Sequence, residues 1–252
     1  MPAEHSEQDL TVGVIGGLGP EATLDFFAKV LAHTPARTDQ DHLHLLIDNN
    51  PKAPDRHAAI TGTGDSPGPV LAESAHKLAE AGADFLVMPC NTAHAFAPDI
   101  RAAVTLPFVD IIEEACDALT RRRPEARKIG VLAALGCLEA ALYETALNCR
   151  GIEAITPEEG DLAAFMDLLY AIKAGRRDEG IRDGMRGLAE KLIGRGAEAV
   201  IAGCTEVPLV LGEGDLSCPL IDSTDVLAER TVRYAKHELP VPGSVILAND
   251  RS

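Results

Sequence analysis

Two cysteines in this chain stand in matched surroundings. Cys90 follows Gly82-Ala83-Asp84 and the apolar run Phe85-Leu86-Val87-Met88-Pro89, and Cys204 follows Gly196-Ala197-Glu198 and the run Ala199-Val200-Ile201-Ala202-Gly203. In both copies the cysteine lies eight residues after the glycine of a Gly-Ala-acid triplet. A single thiol at a strand end reads as a nucleophile or as a small buried hydrophobe. A duplicated pair reads differently. A thiolate and a thiol on opposite sides of one carbon can take a proton from one face and return one to the other, which is what stereoinversion at a carbon with an acidic hydrogen requires. A free thiol ionises near pH 8.5, so each cysteine is expected to precede a helix N-terminus whose N–H groups favour the thiolate. Asn91, Thr92 and Thr205 are small polar residues suited to holding a carboxylate or a developing enolate-like charge. His94 and Glu206, just beyond the two cysteines, could each tune a thiol or cap a helix. Cys116, Cys137, Cys149 and Cys218 lack the paired context and are expected to pack.

The elements that must position these residues repeat as well. Short apolar, β-branched runs at 10–15, 43–47, 84–88 and 105–112 read as buried strands, and helical periodicity covers 21–33 and 70–81. The stretch 52–69 is rich in glycine and proline and reads as a long functional loop. After Arg121-Arg122-Arg123-Pro124, read as the solvated end of a helix, the pattern restarts. Gly130, Cys204 and Pro219 echo Gly13, Cys90 and Pro107 at displacements of 117, 114 and 112 positions. Three motifs in one order at nearly constant offset predict an internal duplication. The expected fold is α/β, with two similar parallel-sheet lobes related by a pseudo-two-fold axis and the site in the cleft between them. The lobes are expected at 9–112 and 113–222, with 223–252 forming a C-terminal helix and tail that return to the first lobe.

Composition narrows the partners. The 252 residues carry a net charge of −16, which argues against nucleic acid and anionic membranes, since both bind Lys/Arg patches. No apolar run reaches the roughly 18–20 residues of a membrane helix. The first eight residues are polar, lack a signal-peptide pattern and are expected to fray. The six cysteines form no Cys-x-x-Cys pair, so neither a disulfide framework nor a zinc ribbon is expected, and the thiols suit a reducing cytoplasm. His42 and His44 alternate along an expected strand without a third ligand, so no metal is assigned. The segment Gly17-Leu18-Gly19-Pro20-Glu21-Ala22 satisfies the spacing of a dinucleotide fingerprint. However, Pro20 interrupts it, and Asp48 opens a turn instead of standing free, so nucleotide binding is not expected.

Taken together, four motifs resemble the aspartate/glutamate racemases. They are Ile15-Gly16-Gly17-Leu18-Gly19-Pro20-Glu21-Ala22-Thr23, Asn49-Asn50-Pro51 with Pro54-Asp55-Arg56, Pro89-Cys90-Asn91-Thr92-Ala93-His94, and Gly203-Cys204-Thr205-Glu206. The resemblance implies a cofactor-independent, homodimeric racemase interconverting L- and D-aspartate, with glutamate or a broader amino-acid range open. It implies Cys90 and Cys204 as opposed acid/base catalysts, Arg56 and Lys173 as the cations for substrate carboxylates, and Asn91, Thr92 and Ala93 as a substrate-contacting loop. Asp55 shares the Arg56 motif and could tune it. One departure is visible. Relatives commonly carry a threonine-rich turn after the first strand of the second lobe, where this chain reads Ala133-Ala134-Leu135-Gly136-Cys137. Two rival readings are another enolate-type enzyme, such as a diacid isomerase or decarboxylase, and a non-catalytic amino-acid-binding protein. Retention of both cysteines favours racemisation.

Overall fold

The computed structural model describes residues 8–244. In the first half, β1 (Val12–Gly16) is followed by α1 (Pro20–His33), β2 (Leu45–Asn49), α2 (Arg56–Ile60), α3 (Gly68–Glu80), β3 (Phe85–Val87), α4 (Ala97–Ala103), β4 (Phe108–Val109) and α5 (Ile111–Arg122). The second half runs β5 (Lys128–Ala133), α6 (Leu135–Glu139), α7 (Leu142–Asn148), β6 (Glu153–Ile155), α8 (Glu159–Lys173), α9 (Glu179–Gly194), β7 (Ala199–Gly203), β8 (Leu220–Asp222) and α10 (Ser223–Ala235). The strands form two parallel sheets of identical order, β2-β1-β3-β4 and β6-β5-β7-β8. The repeat read from the sequence is therefore a repeat of topology, with Gly13 and Gly130 on the equivalent strands β1 and β5. Each five-residue central strand, β1 and β7, is buried throughout, as a parallel strand with helices on both faces must be.

The two sheets share an apolar interior. Phe26 of α1, Val87 of β3 and Leu119 of α5 belong to one buried cluster with Val131 of β5, Tyr143 of α7, Ile201 of β7 and Val226 of α10. Outer clusters complete each lobe: Ile15, Leu71 and Leu86 on one side, and Leu132, Phe165, Met185 and Val200 on the other. α10 crosses back toward the chain's start. Leu10 N–H donates to the Ala235 carbonyl at 2.9 Å, and Lys29 of α1 bridges Asp25 at 2.6 Å and Asp222 at 2.7 Å. These bonds support our proposal that the chain returns to the first lobe after residue 222. The expected fraying of residues 1–7 and the tail from 245 lie outside the described residues.

Several expectations shift. The strand expected at 43–47 is β2 at Leu45–Asn49, because the ladder on β1 opens with Val12 N–H to the His44 carbonyl. His42 and His44 thus precede the strand, and no group of three potential metal ligands occurs among the described residues. The strand expected at 105–112 is confined to Phe108–Val109. Pro107 has no N–H to donate, and Asp110 already caps α5 through Ile112 N–H at 3.0 Å. The long loop carries a helix, α2, nucleated by Asp55 accepting from Ala58 N–H at 2.8 Å. Cys116 and Cys137 are fully buried core residues, and burial pushes the Cys116 thiol up to about 12. Among the described residues no helix is long and apolar enough to cross a membrane.

Candidate active site

The cleft between the lobes is a pocket of about 70 Å³ at the carboxyl ends of the central strands. Both cysteines line it. Cys90 lies three residues beyond the end of β3 and Cys204 follows β7 directly, each under a tenth exposed. Asp55, Arg56, Asn91, Thr92, Lys173, Thr205 and Glu206 line the same pocket, so residues 151 positions apart in the chain (Asp55 to Glu206) converge on it. Ala93 and His94 do not; both are buried behind Cys90.

The two thiols have different neighbours. The Cys90 sulfur accepts the backbone N–H of Ala93, which is that residue's contribution. Burial is the largest influence and pushes the Cys90 thiol up; Arg56, the Ala93 amide and Lys173 pull against it, and Glu206 adds to the rise. Cys204 donates its S–H to Glu206 Oε2 at 3.0 Å. Burial, then the Glu206 charge, push its thiol well up, with Lys173 opposing. The helix-dipole expectation is therefore corrected. Neither cysteine leads directly into an α-helix: Thr92–Phe96 and Val207–Leu209 are 3-10 turns, and burial outweighs what their few amides supply.

Buried hydrogen bonds fix both cysteine loops. His94, stacked on Phe108 at 5.3 Å, has Nδ1 at 2.8 Å from the Cys90 carbonyl and accepts Ile111 N–H at Nε2 over 3.2 Å. Those contacts place the proton on Nδ1 and tie the Cys90 loop to the start of α5; the imidazole does not reach a thiol. The Asn91 side chain is likewise engaged away from the cavity. Its Oδ1 accepts the Tyr143 hydroxyl at 2.6 Å, and its Nδ2 donates to Ser223 Oγ at 3.2 Å; Ser223 in turn donates to the Ala202 carbonyl at 2.7 Å. This chain runs from the residue after Cys90 to the residue two before Cys204.

The charged groups are arranged unevenly. Arg56 opens α2 and donates to the Pro54 carbonyl at 3.1 Å and the Leu18 carbonyl at 3.2 Å, so backbone oxygens orient its fork. Lys173, at the last position of α8, forms a short ion pair with buried Glu206. Burial is the largest influence and works against the Lys173 charge, but the charge and hydrogen bond of Glu206, with Cys204 and Cys90 nearby, together hold the ammonium above its ordinary range. Glu206 also accepts the Thr205 hydroxyl at 3.3 Å. The glycine turn after β1 exists for these contacts. Gly17 has φ +85°, and a Cβ there would fall 2.5 Å from the Asn50 backbone; a Cβ on Gly19 would fall 3.1 Å from Glu206 Oε1. The dinucleotide spacing is thus a close approach of backbone to the Lys173–Glu206 pair.

Several lining residues escaped the sequence reading: Leu18, His57, Met166, Leu169 and Tyr170; Ala134 and Gly136, from the altered turn the sequence singled out, line the pocket as well. Met166, Leu169, Tyr170 and Lys173 stand at i, i+3, i+4 and i+7 on α8, so one helical face supplies a wall. That spacing, ending on the lysine, was the available signal. His57 Nδ1 lies 3.2 Å from Glu139 Oε2, without hydrogen-bond alignment, where α2 meets α6 across the pocket mouth.

Comparison with known proteins agrees with this fold. The broad specificity amino-acid racemase RacX of Bacillus subtilis is 29% identical over 225 residues, covering 88% of this chain and 96% of the relative. The aspartate racemase of Picrophilus torridus superposes with a TM-score of 0.78 at 27% identity, covering 90% of this chain and 94% of that one. Glutamate racemase of Francisella tularensis, in complex with D-glutamate, shares the fold at 17% identity and a TM-score of 0.63, over 91% of this chain and 82% of that one. Residues 15–231 match the model of the Asp/Glu/Hydantoin racemase family, and the chain belongs to that family.

Proposed function

We propose that the protein is an amino-acid racemase that needs no cofactor and works by two-base proton transfer between Cys90 and Cys204. The observation that carries the reading is the convergence of both cysteines, one from each equivalent strand end, on one small pocket with an oriented arginine. Arg56 holds the substrate carboxylate through its fork. The Thr92 hydroxyl and the Asp55 carboxylate are the polar groups for the ammonium end. A thiolate takes the α-proton from one face as the C–H electron pair passes into an enediolate-like system. The opposite thiol then gives its S–H proton to the other face of that carbon. Net proton count is unchanged, and the two sulfurs have exchanged states.

The surroundings of the two thiols support different roles for them. Cys204 donates to Glu206 and is the thiol; Cys90, whose rise Arg56 and the Ala93 amide oppose, is the one that ionises first as pH climbs. Aspartate, named for the Picrophilus relative, and the broader range named for the Bacillus one are both within reach of this chemistry. A homodimer in a reducing cytoplasm belongs to the same reading. It fits six free thiols and the exposed stripe Leu24, Phe27 and Leu31 on α1, and analytical ultracentrifugation tests the assembly. The mechanism is tested by α-proton exchange in deuterated water, followed by NMR over a panel of amino acids. Cys90→Ala and Cys204→Ala should each lose racemisation by at least about 10³-fold, within the range general acid–base catalysis contributes. Parental rates in both variants would refute the two-cysteine mechanism.

A further inference from the structure

An amino acid brings three groups to this pocket: a carboxylate, an ammonium and a side chain. Most polar groups of the lining are already engaged. Asn91 is taken up by Tyr143 and Ser223, and the Thr205 hydroxyl by Glu206. Glu206 lies between Lys173 and Cys204, Asp55 caps α2, and backbone carbonyls aim Arg56. With Arg56 at the carboxylate, and Asp55 and Thr92 at the ammonium, Tyr170 and His57 are the polar lining residues left for the side chain. Among the described residues the Tyr170 hydroxyl makes no hydrogen bond. His57 Nδ1 is buried without one, 3.2 Å from Glu139 Oε2.

The two residues come from opposite lobes. His57 follows Arg56 on α2, and Tyr170 stands three residues before Lys173 on α8. Tyr170 is 58% exposed although it lines the pocket, whereas Tyr143 and Tyr234 are buried in the core. An aromatic ring left in water at a pocket rim has area to bury and a hydroxyl to engage when the pocket fills. Gly136 packs on His57, where a Cβ would fall 3.2 Å from its Cα, so the wall beside His57 carries no side chain that competes for the space.

Resting on the racemase reading above, we propose that Tyr170 and His57 recognise the substrate's side chain, and that the enzyme takes the carboxamide amino acids asparagine and glutamine in preference to their apolar isosteres. A phenol hydroxyl and a neutral imidazole each offer one donor and one acceptor. A carboxamide presents the matching set, an oxygen that accepts and an NH₂ that donates. Leucine and methionine fill a similar volume but leave the hydroxyl and the imidazole without partners as water is expelled. Acidic substrates stay within reach, since a carboxylate accepts from the same hydroxyl.

The test compares kcat/KM for α-proton exchange with asparagine against leucine, and with glutamine against methionine. Each amide should lead its isostere by about tenfold or more, the scale of a buried hydrogen bond. Tyr170→Phe keeps the ring and removes the hydroxyl, and it should cut that ratio about fivefold; His57→Ala should cut it as well. Binding is read separately from turnover. The chain has no tryptophan and three tyrosines, of which Tyr170 alone is exposed, so quenching of tyrosine emission by acrylamide reports on this ring. Succinamate, which is asparagine without its amino group, should protect the emission at lower concentration than 4-methylpentanoate, the same analogue of leucine. Tyr170→Phe should abolish the protection. Amides that exchange no faster than their isosteres, an unchanged ratio in either variant, or quenching unaltered at saturating succinamate overturns this assignment and leaves the racemase reading intact. No exchange with any amino acid, in a folded wild-type chain, overturns both.

Discussion

Tyr143→Phe removes one oxygen from the hydrogen-bonded chain that joins the two cysteine loops. The ring is fully buried and packs on Gly203, where a Cβ would come within 2.8 Å of Tyr143 Cε2, so phenylalanine keeps the packing beside Cys204. What is lost is the 2.6 Å bond to Asn91 Oδ1 beside Cys90. Asn91 is 2% exposed, so water cannot replace the hydroxyl, and its other polar end is already committed to Ser223. A buried acceptor left without a partner costs about 1–3 kcal/mol, more than the roughly 1 kcal/mol an ordinary hydrogen bond contributes net. For a chain of this size, that corresponds to about 2–4 °C in Tm per kcal/mol. Urea titration at unchanged m-value measures the loss directly. The same variant should slow α-proton exchange, because small displacements of a reacting group are expensive in rate. A stability change below about 0.5 kcal/mol, with exchange unaffected, would show that Asn91 is not held by Tyr143 and refute the proposed tie between the loops.

Three further outcomes follow from the same geometry. Burial raises both thiols above their ordinary range, so exchange should climb with pH into the alkaline region, where the base form appears; a profile flat from about pH 6 to 10 contradicts this. Since the charge and hydrogen bond of Glu206 both raise Cys204, Glu206→Gln should move the alkaline limb to lower pH for the enantiomer that Cys204 deprotonates, and an unmoved limb would count against the contact. Gly17→Ala combines a φ of +85° with a 2.5 Å approach to the Asn50 backbone, and thermal melts should show a loss of about 1–3 kcal/mol or more.

The lobes were legible because duplication writes the same local physics twice. An apolar run, a glycine turn and a polar cluster recur at nearly constant offset, and the sheets answer with the same strand order. Strand ends were less legible because pairing partners set them. β2 begins where β1 can offer a partner to His44, and β4 stops where Pro107 and the Asp110 cap leave no further ladder. The hidden helix α2 depends on one side-chain bond, Asp55 to Ala58, inside a stretch whose glycine and proline content spoke for loop. His94 illustrates a third kind of blindness. Its position four residues after Cys90 suited a tuning role, yet the ring points at the Cys90 carbonyl and the Ile111 amide, a choice made by α5 and Phe108.

The site shows the same division more sharply. Arg56, Lys173 and Glu206 were each readable as charged residues near the cysteines, but their net effect was not, because charge in a pocket is a property of pairs. Lys173 ends one helix and Glu206 follows a strand 33 positions later, and nothing in that interval announces that they meet. Gly19 is the residue whose reading changes most with this contact. In the sequence it completes a phosphate-binding spacing; in the fold its missing side chain admits the Lys173–Glu206 pair at a distance a methyl group would crowd. In the proposed reaction the cysteine pair moves a proton across one carbon, and beside it a glycine, a lysine and a glutamate from three separate segments meet only in the fold. Chemistry that depends on two like residues leaves a repeat in the sequence. A contact that depends on one ion pair leaves none, and only the fold displays it.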